Sequence, residues 1–400
     1  MKTFNIKALF KLSGCVVEKI LVEEVGVQVK MRADERYKPS CPDCGARLKE
    51  HRKGQIAVYD LPLAEKTAVW ITLPVIQGRC RPCGCFITQR PPEVHPKRDA
   101  TWRLMRRVAT WASVCPASTV AAMFDISEAT VRRYEMDILR TDLPEPLLDD
   151  LEVLLVDEKS VRKGHGYVTI VLNGRTGELL HMAEGKKKES LESFFSKLND
   201  DQKRSIRAVC IDRNGAYRAV INEQVPHADV IHDRFHLIAN LNAALDEVRR
   251  SEWHRAKEGG KRVIKGSRYL LTRGRENLDE QAKDRLIELV RLNERLSTAY
   301  ILKEDFRWIY AAAQSAEEAI AKLSSWCEAA FSTGLAPLGR FARGLMRDLP
   351  AAAAFFKHRV TSGPIEAFNN QIARLIHRSC GITNLDYLFL KMRAQSLQRI

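Results

Sequence analysis

No apolar run in these 400 residues reaches the roughly 20 residues that a helix needs to cross a bilayer. The first two dozen positions are broken by Lys7, Lys11, Glu18 and Lys19, so they lack the uninterrupted hydrophobic segment of a secretory leader. A cytoplasmic chain with no membrane partner is therefore expected. Internal repeats and long low-complexity tracts are also missing, which excludes a repeat architecture. Acidic charge is in short supply: 50 Asp and Glu stand against 65 Lys and Arg, a formal net charge of +15. Such an excess favours a polyanionic partner, because each Lys or Arg that meets a phosphate releases bound counterions.

What is present suits a large, well-filled protein. Hydrophobic residues make up 45% and charged residues 29%, and 400 residues exceed what one core organises, so two or three domains are expected. The first hundred residues predict short strands in VGVQVKM, AVYDLPL and KTAVWITLPVI, closed by Pro91, Pro92 and Pro96. From Thr101 the period turns helical through WRLMRRVATWA, STVAAMF and SEATVRRYEMDILR, and TDLPEPLLDD follows as a linker. VLLVDEKSV, GYVTIVLNG and GELLHMAEG then predict a three-strand meander. Helix ESLESFFSKL, strand IRAVCID, helix AYRAVINEQV and strand ADVIHD come next, which together point to a mixed sheet covered on both faces. Residues 235 to about 350 are helical in pattern. They include a basic stretch with Lys257, Lys261, Arg262, Lys265, Arg268, Arg273 and Arg275, which fits either a DNA backbone or a solvated loop. A last helical run, GPIEAFNNQIARLIHR, precedes a Gly turn and a closing helix.

Five of the ten cysteines cluster near the N-terminus, while Cys15, Cys115, Cys210, Cys327 and Cys380 lie scattered as buried or free thiols. Cys41 and Cys44, then Cys80 and Cys83, form two CxxCG knuckles. A thiolate pair at this spacing turns inward on one tight loop, and the following glycine tolerates the positive φ that the loop needs. Two such loops at the ends of a strand hairpin supply a tetrahedral set for one structural Zn2+, the zinc-ribbon arrangement. Cys85 competes with Cys83 for the fourth position, and His51 or His95 can substitute.

STVAAMFDISEATVRRYEMDILR predicts two helices around a tight turn at Asp125, with Ser127 capping the second and Glu128 at its first position. Val120, Ala121, Phe124 and Ile126 pack against Val131, Tyr134 and Ile138. Ala129, Thr130 and Arg133 then face outward where a recognition helix meets base edges, and Arg106, Arg107 and Arg132 are placed for phosphates.

Asp157 follows the apolar run VLLV, at or near the end of a buried strand, and Asp212 follows AVCI at the end of another, where a buried carboxylate needs compensation. Glu366 lies in the first turns of a helix that Ser362 can cap and Pro364 pre-organises. Two strand-end aspartates and a helical glutamate can converge on one edge of a sheet, and such hard oxygen ligands suit Mg2+ or Mn2+. A pair of such ions about 3.5–4 Å apart activates a water or 3′-hydroxyl and stabilises the leaving oxygen. Glu158, Asp233 and Glu223 are rival ligands, and spacing alone does not choose among them.

Taken in order, CPDCG, the second CxxCG, the helix-turn-helix, LLVDEKS, AVCIDRNGAY, HDRFH and GPIEAFNN resemble the bacterial insertion-sequence transposases of the ISL-three (ISL3) family along almost the whole chain. The resemblance implies an RNase H-like catalytic domain with a DDE triad at Asp157, Asp212 and Glu366, interrupted by a helical insertion before the Glu. It leaves His236 either near the DNA or at a structural helix start, and puts Asn369 and Asn370 one turn after Glu366, toward the DNA end or a ligand carboxylate.

The expected protein is multidomain α+β. A β-rich zinc-binding domain spans residues 1–97 and a helix-turn-helix domain 98–146. The first part of the catalytic domain spans 147–234, an all-α insertion 235–350, and the catalytic C-terminal helices 351–400. Two Mg2+ (or Mn2+) and one Zn2+ are the expected cofactors. Double-stranded DNA, both terminal inverted repeats and target, is the expected partner of a homo-oligomer associated with the nucleoid. A sequence-specific repressor or domesticated relative that no longer cuts is the alternative, and a structure-selective nuclease or resolvase is a third reading.

Overall fold

The computed structural model describes residues 6–397 apart from residues 25, 42, 65–66, 163–165, 213 and 380. The chain divides into two compact units, residues 1–144 with 375–394 and residues 145–374 with 395–400.

In the first unit, β1 (Cys15–Glu23), β2 (Gly26–Ala33), β3 (Lys49–Asp60), β4 (Ala68–Arg79) and β5 (Phe86–Gln89) form one sheet. Its order is β1-β2-β4-β3, with β5 also pairing β4, and β2 runs parallel to β4. Strand alternation accounts for the buried face: Val27, Val29 and Met31 of β2 and Val69, Ile71, Leu73 and Val75 of β4 turn inward with Phe10 and Leu12. Two differences from the sequence reading stand out. The strand β1 carries no fully buried residue, so no clean alternation announces it. The strand β3 starts at Lys49 rather than Ala57, because its exposed residues Lys49–Gln55 are strand only by pairing with β4. That polar two-stranded arm brings together the segments flanking the two cysteine knuckles.

Helices α1 (Trp102–Val114), α2 (Ala117–Phe124) and α3 (Glu128–Asp142) follow. Asp125 ends α2 in the left-handed region at φ 52°, and Ser127 caps α3 by accepting from the Thr130 amide at 3.1 Å. Leu104, Val108, Val120, Phe124, Val131, Tyr134 and Ile138 close the core of this helical trio. The fully buried Asp60, the last residue of β3, ties the sheet to α1: it accepts from Thr101 Oγ1 at 2.6 Å and Arg103 Nε at 2.7 Å.

In the second unit, β6 (Val153–Arg162), β7 (Gly166–Asn173) and β8 (Leu179–Glu184) form the antiparallel meander. Helices α4 (Lys188–Phe195) and α5 (Asp200–Ser205) lead to β9 (Ala208–Ile211), and α6 (Gly215–Gln224) leads to β10 (Asp229–His232). The sheet order is β10-β9-β6-β7-β8, with β9 parallel to both β6 and β10. Leu154 and Val156 of β6 and Val209 and Ile211 of β9 share one core with Leu191, Phe194, Phe195, Tyr217 and Val220 of the crossover helices.

The helical segment that follows runs through α7 (Arg234–Arg255), α8 (Glu258–Ile264), α9 (Arg268–Thr272), α10 (Glu280–Leu292), α11 (Glu294–Ala312), α12 (Ala316–Ser332), α13 (Ala336–Met346) and α14 (Leu349–His358). It returns to the sheet at the edge strand. Asp348, just before α14, pairs with His232 at one end of β10, and Lys357 and His358 each reach Asp229 at the other at 2.7 Å. The helix thereby shields an edge that would otherwise offer unpaired backbone groups.

The chain closes with α15 (Gly363–Arg378) and α16 (Leu385–Leu397). The sequence boundary assigned 351–400 to the catalytic part, whereas residues 375–394 group with the first unit. The physical reason is a buried ionic knot. Lys391 Nζ donates to Glu135 Oε1 of α3 at 2.5 Å and to the Ala112 carbonyl of α1 at 2.9 Å, and the Tyr387 hydroxyl also donates to Glu135. Polarity at three separate positions gave no sign of this pairing.

Candidate active site and metal centres

The four knuckle cysteines gather as the spacing predicted. The sulfurs of Cys41, Cys44, Cys80 and Cys83 all lie within 4.8 Å of one another, with Cys44–Cys80 at 3.4 Å and Cys41–Cys83 at 3.9 Å. Zinc–sulfur bonds of 2.3 Å in a tetrahedron set sulfurs about 3.8 Å apart, so this set can hold a zinc ion in a closed, structural site. Backbone turns impose the arrangement. Gly45 N donates to Cys41 O and Gly84 N to Cys80 O, each at 2.9 Å, and both glycines take positive φ, 71° and 72°. The same symmetry resolves the role of Cys85. Cys41 N donates to Ala46 O and Cys80 N to Cys85 O, so Cys85 occupies the place that Ala46 holds in the other knuckle and stays outside the sulfur group. Within the cluster a hydrogen bond from the Ala46 backbone, followed by those of Cys83 and Cys80, holds the Cys44 thiol down to about 7, while hydrogen bonding with Cys44 and Cys80 pushes the Cys83 thiol up, so without a metal the four share one thiolate charge unevenly. Neither histidine joins in: His51 packs edge-on against Phe86, and His95 Nδ1 accepts from the Lys97 and Arg98 amides at 3.0 Å.

On the helical trio, Ala129 and Arg133 are exposed on the first turns of α3. Thr130 is partly covered, its hydroxyl 2.9 Å from that of Ser127. Arg132 is paired with Glu128 at 2.9 Å and Arg106 with Asp142, whereas Arg107 and Arg133 carry no ion pair among the described residues.

The carboxylates are built by strand register. Val156 pairs with Ile211, and Ile211 with His232, across three neighbouring parallel strands. The next residue on each is Asp157, Asp212 and Asp233, so three aspartates stand side by side; Asp212 and Asp233 follow the last residues of β9 and β10, whereas Asp157, expected at or near a strand end, lies inside β6, which continues to Arg162 by pairing with β7. Asp233 is engaged otherwise. It is 4% exposed and caps α7, accepting from the Phe235 and His236 amides at 3.1 and 3.3 Å. Burial opposes its charge, but hydrogen bonds from His236 and Ser362 outweigh this and hold it below the usual carboxylate range. The other rivals are placed elsewhere: Glu158 faces the opposite side of β6 and accepts from Asn214 Nδ2 at 3.2 Å, and Glu223 pairs with Lys188 at the far end of α6.

Asp157 is flanked by two donors, the Glu158 amide at 2.7 Å and Asn369 Nδ2 at 2.6 Å. Burial pushes its carboxyl above the ordinary value. Asn369 is buried on α15, and its side-chain oxygen has no hydrogen-bond partner, leaving an acceptor beside Asp157. Glu366 is exposed one turn earlier on the same helix, and i to i+3 spacing puts it on the face of Asn369. Its amide donates to Ser362 O at 2.9 Å. Ser362 in turn meets Asp233, so the start of α15 is fastened to the sheet.

His236, whose role the sequence left open, lies among these acids. Its Nδ1 is 3.1 Å from Asp233 and 3.6 Å from Asp212, and the Asp233 partner foremost pushes its pKa up to about 9, so the ring is cationic at neutral pH. Asp157, Asp212 and Glu366 do not draw within 4.8 Å of one another; among the described residues only the thiols form such a group. Even so, two carboxylates on adjacent strands, a third near the start of α15 and the unpaired Asn369 oxygen make an all-oxygen donor set that fits a hard divalent cation.

No helix among the described residues is long and apolar enough to cross a membrane. The family profile for ISL3 transposases matches residues 154–392. The transposase for insertion sequence element IS1001 of Bordetella parapertussis is 31% identical over 360 residues, covering 88% of each chain. The transposase for insertion sequence element IS1557 of Mycobacterium tuberculosis is 28% identical over 397 residues, covering 91% of this chain and 88% of its own. A profile that takes in the sheet, the helical segment and α15, joined to relatives aligned across both units, places this chain in the ISL3 family of insertion-sequence transposases, enzymes of DNA transposition.

Proposed function

We propose that this transposase binds the terminal inverted repeats of its element through the zinc ribbon and helix-turn-helix, and cuts and joins DNA ends at Asp157, Asp212 and Glu366. The observation that carries the reading is the register Val156↔Ile211, which sets Asp157 beside Asp212, together with the hydrogen bond from Asn369, one turn after Glu366, to Asp157. A meander followed by two strands parallel to its first, β10-β9-β6-β7-β8, supports an RNase H-like sheet. The helical segment from α7 to α14 is then its insertion, ending before the Glu366 helix. The first unit serves as the recognition module.

Two Mg2+ or Mn2+ ions held by these carboxylates supply an activated nucleophile and charge stabilisation for in-line displacement at phosphorus. The residues of the chain do the positioning. Asp157 is oriented by the Glu158 amide and Asn369, and Asp212 is held beside the His236 imidazolium. Water attacks the phosphorus at the element's end and the 3′ oxygen leaves; that 3′-hydroxyl then attacks a target phosphodiester and displaces the next 3′ oxygen. Bringing two ends together calls for a homo-oligomer on the DNA. Arg107 and Arg133, unpaired on the helical trio, are poised for phosphate and base contact.

The test is cleavage of labelled DNA carrying the element's ends with purified protein and Mg2+. Asp157→Ala, Asp212→Ala and Glu366→Ala should each lower cutting by roughly a thousandfold or more while leaving end binding intact. Wild-type cutting by any one of them removes that residue from the mechanism. A native protein that binds the ends but never cuts them points to a non-cutting relative.

A further inference from the structure

The basic stretch between α7 and α10 is not absorbed by the catalytic site, and one part of it is a built groove rather than a loose charged surface. Between α7 and α9 lies a groove of about 440 Å³, lined by Asn242, Asp246, Arg250, Arg268, Tyr269 and Thr272. That volume falls in the range of ligand sites. Tyr269 is 66% exposed, an unusual setting for a ring of this size, and the Arg273 guanidinium lies 5.9 Å from its centroid. The acidic lining is already neutralised, since Asp246 pairs with Arg249 at 2.7 Å and Arg250 at 3.3 Å, and Glu247 pairs with Arg340. Arg268 and Arg273 make no ion pair among the described residues, so their charge is available to a ligand.

A solvated arginine-rich turn needs no scaffold, yet this one has a costly scaffold. Lys303 of α11 is completely buried, and its ammonium donates to Leu271 O at 3.1 Å and Arg273 O at 2.8 Å, fixing the end of α9 from beneath. Ser267, also fully buried, donates to Ile264 O at 2.7 Å and fixes the start. Burying an ammonium group is unfavourable unless its charge and hydrogen bonds are met; here Glu304 pairs with it, and the carbonyls of the segment that presents Tyr269 take its hydrogens. Beside the groove, the Asn242 side-chain oxygen is buried and has no hydrogen-bond partner.

We infer that this groove holds one unpaired nucleotide of a DNA strand, its base stacked on Tyr269 and its phosphates met by Arg268 and Arg273. A planar aromatic face flanked by uncommitted guanidinium groups is the chemistry that single strands use, because every base offers a π-face and every linkage a charge. The inference rests on the transposase reading only in naming DNA as the polymer.

The experiment uses the full-length, zinc-loaded protein without magnesium, so that binding is read apart from cutting. The probe is a mixed-sequence single-stranded oligonucleotide containing 2-aminopurine, with a duplex of the same sequence in parallel. Tyr269→Ala should weaken single-strand binding about tenfold and abolish the quenching of 2-aminopurine, while Tyr269→Phe keeps both within about twofold. Arg268→Gln with Arg273→Gln should reduce the slope of log affinity against log salt by roughly one to two. Duplex binding should stay within about twofold throughout. Unchanged single-strand binding by Tyr269→Ala overturns the inference, and so does an equal loss for duplex and single strand, which would mark a general backbone contact. Because Tyr269 lies outside the core, an unchanged melting temperature verifies that each variant is folded. Failure of the Asp157 cleavage test leaves this result standing, and failure here leaves cleavage standing.

Discussion

The two candidate metal centres of this protein are opposites. The thiol centre is assembled by two tight turns that each carry a complete pair of ligands, and its four sulfurs all lie within 4.8 Å of one another. The carboxylate centre is assembled by strand register and a helix far along the chain, and its acids stay apart, with the His236 cation among them. The difference teaches that a structural centre is a device for stability, whereas a centre suited to catalysis keeps like charges near one another at a standing cost that a bound cation offsets.

The largest expected effect would break the first half of that contrast. Removing zinc from the thiol centre should unfold the ribbon arm, with free energy on the order of 10 kcal/mol at stake. Limited proteolysis and zinc content should report it, and Cys83→Ser should reproduce it where Cys85→Ser does not. Equal zinc loss from both variants would refute the pairing of Cys85 with Ala46.

An intermediate effect belongs to the second unit and is driven by acid. His181 of β8 is buried, its Nδ1 taking a hydrogen from Lys197 at 3.2 Å and its Nε2 lying 2.9 Å from the Ser193 hydroxyl. Burial, then the Lys197 charge, brings its pKa down to about 4 from 6.5. The unfolded chain therefore binds a proton between pH 6.5 and 4 that the folded unit refuses. Stability is full above 6.5, falls across that window by up to about 3 kcal/mol, and levels off below it. Denaturant melts of native protein and His181→Gln over this range should differ by that slope. Parallel curves would show that some other group governs the acid limb.

The smallest effect concerns sign. Burial disfavours the charge of Asp157, so in metal-free buffer Asp157→Asn should raise the melting midpoint, by about 1 kcal/mol in stability, while abolishing cleavage. A lowered midpoint would mean that the aspartate stabilises the fold, as a structural ligand does, and the contrast between the two centres would fail.

Much of this was legible in local pattern. Ser127, Asp125 and the apolar spacing of Val120, Phe124, Val131 and Tyr134 predicted α2 and α3, because caps and helical periodicity act within a few residues. The meander and the two later strands followed from buried apolar runs. What escaped was non-local. The exposed half of β3 has no apolar code, and the knot of Glu135, Tyr387 and Lys391 joins positions with no shared periodicity. Asp233 resembled a ligand as closely as Asp212 did until its capping of α7 was visible.

The sequence by itself determined the two cysteine knuckles, the helix-turn-helix pattern, the order of strands and helices, and through its motifs the family. Each of these depends on short-range geometry or on a string of residues. Only the tertiary structure decided which aspartates stand side by side, that Asn369 touches Asp157, that Cys85 lies outside the sulfur cluster, and that residues 375–394 pack with the first unit. Those outcomes depend on strand register and on packing between positions from several tens to more than two hundred residues apart, which no local pattern encodes.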